Sequence, residues 1–378
     1  MIGDGPVVGG KDWSRYANIM GLGVFIAIIV VFGLIETVEP FGLRFRDLTG
    51  GMITFDTLIR IGILTIVVVG LNLLMGYAGQ ISLGQAGYYG IGAYVSAILC
   101  TMAPRHHLLA GISDTWWWPW LVIVVAMLVT GGFAYLIGKP ILRLRGMYLA
   151  MATLGLGVVM YTVFREGGGL TGGHDGISGI PRLSIGNFTF WPIERYYWLV
   201  WAAAIAVIII GLNVINSRVG RGLRAIESSE VAASTMGVNS AKCKVQIFVL
   251  SAMMASLAGS LYAHFQALVA PGPFGFVPSV ELVCMSAVGG MASVWGAALG
   301  VTFFFLVKEV LRARMYQLLG VGGEYELIGY GIILILVMIF MPQGLSFGGV
   351  KALDWLRNLK VFRRGGDRET EPRAEQAV

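Results

Sequence analysis

The chain has 378 residues, of which 56% are hydrophobic and 13% charged, against roughly a quarter charged in a soluble globular domain. Apolar runs longer than the ~18 residues of a membrane span recur along it, and period-two alternation is missing, so the expectation is an all-α polytopic transmembrane bundle and not a soluble domain or a barrel. The net charge of +6 gathers at the ends of apolar runs and in the tail, as in loops that face the cytoplasm, so it implies a lipid bilayer and no nucleic acid as partner.

In chain order, residues 1–17 read as a Gly-rich cytoplasmic tail with no cleaved signal peptide. Spans are expected at about residues 18–35, 58–75, 84–101, 119–138, 147–164, 196–215, 245–267, 281–307 and 327–341. Together they form a permease domain over 18–343, with a basic cytoplasmic tail at 344–378. The Trp116–Trp118 run suits a membrane–water boundary. The basic loops at 139–145 and 216–244 should both be cytoplasmic, as should the tail. An even number of crossings must then separate residue 244 from the tail. Splitting 281–307 at Gly289-Gly290 into a short hairpin restores that parity. This gives about ten membrane segments with both termini inside, and leaves Arg312 and Arg314 outside.

The most unusual stretch is residues 71–94. Asn72, Gln80, Ser82 and Gln85 are polar and uncharged, and Gly76, Gly79, Gly84, Gly87, Gly90 and Gly92 space them. In hydrocarbon each amide needs a partner or a wet cavity, and glycines at this density allow close backbone approach. The stretch is either an irregular element lining a path or a tight turn between two helices. Residues 218–237 can form a short amphipathic helix. Leu223, Ile226, Ala233 and Met236 lie on one side, Arg221, Arg224, Glu227 and Glu230 carry charge at spacings of three, and Gly237 is the stop. Such a helix lies on lipid or docks into a groove on a soluble partner.

Other candidates fall away. Residues 5–11 resemble part of a phosphate-binding loop, but Asp12 stands where Ser or Thr would hold magnesium and no nucleotide fold follows. His106, His107, His174 and His264 form no metal-ligand set, and Cys100, Cys243 and Cys284 form no disulfide or metal pattern. No catalytic arrangement emerges, so a transport subunit is expected rather than an enzyme. Gly296 and Gly300 make a small-xxx-small pattern that fits either a dimer interface or a contact within the chain.

The run Gly-Tyr-Ala-Gly-Gln-Ile-Ser-Leu-Gly-Gln (residues 76–85) resembles the signature of LivM-type permease subunits of branched-chain amino acid ABC importers. Residues 144–155, 170–181, 288–300 and 340–345 resemble the same family in the same order. Relatives that carry urea tend to read His where this chain has Gln85, so the amino acid branch is favoured over a urea or short-chain amide permease. Glu230, Ala232, Ala233 and Gly237 match the Glu-Ala-Ala…Gly pattern that touches the ATPase subunit, with Val231 in place of one alanine. The resemblance implies a bacterial inner-membrane complex with a LivH-type second permease, two ABC ATPase subunits using ATP and Mg, and a periplasmic binding protein. This chain itself would carry no cofactor. Gln80, Ser82 and Gln85 would lie near the substrate path, supported by Asn72 and Thr153. The loop with Thr171, His174 and Asp175 would help dock the binding protein. The competing class is a stand-alone secondary transporter or channel, which the scarcity of intramembrane charge disfavours.

Overall fold

Among the described residues, six helices are long and apolar enough to cross a membrane. The computed structural model describes residues 54–102 and 115–319 except 187 and 292, most of 23–33, and single positions 331, 332, 335 and 339. The expected tails, the loop with His106 and His107, residues 5–11 and most of the expected span at 327–341 lie outside the described residues.

The first fully described helix, α1 (Phe55–Asn72), begins at Thr54, whose hydroxyl accepts from the Thr57 amide. It runs into a π-helical turn at Leu73–Tyr77. Then come α2 (Gln85–Met102), α3 (Trp118–Ile141) and α4 (Met147–Glu166). α5 (Ile193–Asn216) is followed by two short helices, α6 (Arg218–Ser228) and α7 (Glu230–Thr235). α8 (Ser240–Gln266) leads to α9 (Phe276–Gly289) and α10 (Val294–Leu319). The expected spans match α1 to α5 to within a turn. The run expected at 281–307 instead extends from Phe276 to Leu319, and its second half, α10, is long enough to cross a membrane and is not the short segment expected. α8 departs as well. It starts five residues before the expected 245 because the Asn239 side chain accepts from the Lys242 amide and caps it there.

α8 occupies the centre. Lipid tails are as apolar as leucine, so membrane helices associate through close packing and interhelical polar contacts. α8 provides both. Gly92 on α2 lies against the Ser256 backbone, and Gly259 lies against the Tyr89 carbonyl. Ser96 donates to Ser260 at 2.8 Å and Thr130 donates to Ser256 at 2.9 Å, tying α2 and α3 to the same helix. α1 is buried along almost its whole length. α3 and α4 instead turn Leu121, Val124, Leu128, Met151, Val159 and Val163 outward, an apolar surface that a bilayer solvates.

The run expected to break at Gly289-Gly290 does so. Gly290 has φ +102, which a side chain resists, and α10 folds back along α9. Cβ atoms at Gly289, Gly296 and Gly300 would meet the backbone of the opposing helix. The Gly296/Gly300 pattern is therefore a contact within the chain. Short β-pairs form at the end of the bundle away from α6 and α7: Ile177–Ser178 with Leu268–Val269, and Ser184–Ile185 with Phe188–Thr189.

Candidate functional site

The chain between α1 and α2 crosses the bundle as an irregular segment, and its glycines have specific duties. Gly79 adopts φ +61. A Cβ at Gly84 would strike the Thr153 carbonyl on α4, so this approach is open only to glycine. Leu83 anchors the segment on both sides. Its amide donates to Thr153 Oγ1 at 3.1 Å, and its carbonyl accepts from the Ser279 hydroxyl on α9.

The five expected path residues divide into two groups. Asn72, Gln85 and Thr153 are satisfied by protein. Asn72 donates to the Ser293 carbonyl at 2.8 Å and accepts from the Ser286 hydroxyl. Gln85 donates to the Ser251 carbonyl at 3.1 Å and to its hydroxyl at 2.9 Å. Thr153 accepts from Leu83 and donates to the Ala150 carbonyl at 3.0 Å. These three act as staples between helices. Gln80 and Ser82 differ. They are 3% and 1% exposed, and neither the Gln80 carboxamide nor the Ser82 hydroxyl has a hydrogen-bond partner among the described residues. A buried polar group without a partner costs about 1–3 kcal/mol, so its presence calls for a reason other than stability.

Gln80 also borders a crevice of about 180 Å³ whose far wall is Arg145, Glu227, Glu230 and Lys244. A Cβ at Gly79 would lie 3.7 Å from Glu227 Cγ. The polar segment thus touches α6 at Glu227, and α7 borders the same crevice through Glu230.

The expected single amphipathic helix is two. Ser229, extended at φ −162, ends α6, and its side chain accepts from Ala232 to cap α7. Leu223, Ile226 and Ala233 are buried as the apolar side requires, but Met236 points the other way and is 85% exposed, beside Val231 at 71%. It lies beyond the last turn of α7. There Gly237, at φ +82, turns the chain so that its amide donates to Ser234 and that of Val238 donates to Ala233. Arg224 donates to the Ile215 carbonyl at 2.8 Å and closes the end of α5. Arg221, Glu227, Ala232 and Gly237 are exposed.

Glu230 is held by its own chain. Its carboxylate pairs with Lys244 Nζ at 2.9 Å and Arg145 Nε at 3.6 Å. The Lys244 ammonium holds the carboxyl below the usual carboxylate range, with Arg145 adding to the effect. Sequence reasoning missed both partners, because Lys244 belongs to the first turns of α8 and Arg145 to the α3–α4 link.

In the loop between α4 and α5, His174 and Asp175 are exposed, whereas Thr171 is buried and its hydroxyl accepts from the Gly173 amide at 3.4 Å. His264, 1% exposed, shares a 2.7 Å hydrogen bond between Nδ1 and the Pro181 carbonyl, while its Nε2 has no partner among the described residues. No group of three or more metal-ligating side chains is found among the described residues.

This is a polytopic helical membrane protein with an uncharged polar segment at its core and an amphipathic helix pair directly against it. The chain belongs to the family described as "Branched-chain amino acid transport system / permease component", whose model matches residues 53–338. It is similar to the high-affinity branched-chain amino acid transport system permease protein LivM of Salmonella typhimurium (strain LT2), with 31% identity over 73% of this chain and 66% of the relative. It thus spans just under two thirds of that relative's length. It is also similar to BraD of Pseudomonas aeruginosa, 24% identical over 74% of this chain and 90% of the relative. LivH of Salmonella typhimurium is 22% identical over 74% and 90%. No solved structure matches the chain.

Proposed function

We propose that this chain is a permease subunit of an ATP-binding-cassette importer that moves branched-chain or related amino acids across the bacterial inner membrane. The observation that carries the reading is the pairing of an unsatisfied Gln80 with the α6–α7 helices across one small crevice. A transport path requires polar groups that meet the solute transiently, and a coupled path requires a mechanical connection to the energy source. The family match and the printed roles of LivM and BraD support the solute class.

Gln80 and Ser82 would face the solute, while Asn72, Gln85 and Thr153 would hold the helices that shape its route. ATP and Mg would be used by two separate ATPase subunits. Their motion would enter through Val231 and Ala232 on the outward face of α7 and through Met236 just beyond it. Glu230, Lys244 and Arg145 would pass it to α8 and to the link before α4. A LivH-type chain would complete the permease pair, and His174 and Asp175 would contribute to docking a periplasmic binding protein. Alternation between two packings of the bundle would then open the path to each side in turn.

The test is co-purification. The tagged chain is expressed with a LivH-type permease and ABC ATPase subunits from the same organism. The wild type should retain the ATPase, and Met236→Asp should lose it at unchanged melting temperature. Full retention in Met236→Asp together with Val231→Asp would contradict the docking face.

A further inference from the structure

At the end of the bundle opposite α6 and α7, a cavity of about 260 Å³ opens among α1, α2, α8, α9 and α10. It is just under the ~300–1,000 Å³ typical of drug-sized ligands, so it admits one small solute. Its polar wall carries both signs of charge. Arg60 comes from α1, Glu281 from α9 and Lys308 from α10. Glu281 Oε1 stands 3.8 Å from Lys308 Nζ, an ion pair beyond direct hydrogen-bond reach. Arg60 is neutralised on its other side by Asp56, 2.7 Å from its Nε. The opposite wall is apolar, formed by Ile63, Leu282, Met285 and Phe305.

We infer that this cavity binds a free α-amino acid zwitterion with an apolar side chain, Glu281 receiving the ammonium and Arg60 with Lys308 the carboxylate. The inference rests on the importer reading and adds to it a charged binding site apart from the uncharged segment at Gln80. The argument is charge matching. A solute bearing one charge of each sign can insert into the loose Glu281–Lys308 pair and leave every charge compensated. A carboxylic acid or an amine alone leaves one wall charge unpaired in a partly dry site, which is costly. The apolar wall then favours an aliphatic side chain over a polar one.

The experiment uses the full-length chain purified within its importer complex, without binding protein. Labelled leucine is titrated in competition with 4-methylpentanoate and 3-methylbutylamine, the same skeleton lacking the ammonium or the carboxylate. Leucine should bind, and neither analogue should displace it at equal concentration. Glu281→Gln should weaken leucine binding by roughly tenfold or more. Unchanged binding in Glu281→Gln would show that the pair serves only to hold α9 to α10, and would overturn the site. For a Glu281→Gln chain that fails to assemble, Glu281→Asp reports instead. It keeps the charge but withdraws it by one methylene, and unaltered affinity there also overturns the proposal. ATP-driven leucine uptake is measured on the same preparations. Uptake with no effect of either Glu281 variant on binding removes the cavity alone, whereas wild-type vesicles that import no leucine remove the importer reading.

Discussion

Asn72 on α1 and Ser293, at the turn between α9 and α10, lie 221 residues apart in sequence and are joined by a 2.8 Å hydrogen bond from the Asn72 carboxamide to the Ser293 carbonyl. The same carboxamide accepts from Ser286. One side chain thus fixes the position of the α9–α10 hairpin against the buried helix α1. Asn72→Leu should destabilise the chain by about 1–3 kcal/mol, because it leaves the Ser286 hydroxyl and the Ser293 carbonyl unpaired. Ser286→Ala, which removes one bond of the two, should cost less. Thermal melting of the purified chain in detergent checks both, and equal melting temperatures for Asn72→Leu and the wild type would refute the staple.

The hairpin also depends on glycine. Gly300→Ala would drive a Cβ into the Met285 carbonyl, backbone that has no room to yield. Loss of the folded, detergent-stable chain is expected. Gly132→Ala is the control. Nothing lies within 4 Å of a Cβ there, and replacing glycine inside a helix should raise stability by up to about 1 kcal/mol. Size-exclusion profiles and melting temperatures of the two variants give the comparison.

Gln80 separates stability from transport. Removing an unsatisfied buried amide relieves its desolvation cost, so Gln80→Leu should melt at or above the wild-type temperature. Uptake should nonetheless fall severalfold, because the path loses a polar contact. A variant that loses stability and uptake together would show that Gln80 has a structural partner.

The ion pair at Glu230 makes a pH prediction. Its carboxyl titrates below the ordinary value in the folded chain. The stabilisation is therefore fully present above the ordinary carboxylate pKa of about 4.3 and is lost as pH falls through the lower, folded value. Hydrogen exchange at residues 230–237 should accelerate in that acid range. Glu230→Gln should abolish the pH dependence while costing no more than about 1 kcal/mol, the scale of a partly exposed pair.

Much of this was legible in the sequence, and the failures share a cause. Hydropathy and helix stops located α3, α4 and α5 to within a few residues because these signals are local, and the parity of the basic loops placed a break at Gly289-Gly290. The division of 218–237 at Ser229 was not visible, since Ser229 follows Ser228 in a run that a single helix also accommodates. Met236 has helical spacing from Ala233, but Gly237 turns the chain just where that spacing would place it inside. Thr171 sits in a glycine-rich loop that reads as surface, yet it is buried, its side chain lying against Gly167. Ser293, Ser251 and Lys244, partners of Asn72, Gln85 and Glu230, lie 221, 166 and 14 residues away in sequence, and no pattern within one segment could have identified them.

ATP-dependent uptake of labelled leucine into proteoliposomes bearing the complete complex and its binding protein tests the central claim most directly. The account predicts uptake that requires ATP, falls in Gln80→Leu, and is abolished in Met236→Asp. Uptake by this chain alone without ATP would contradict it.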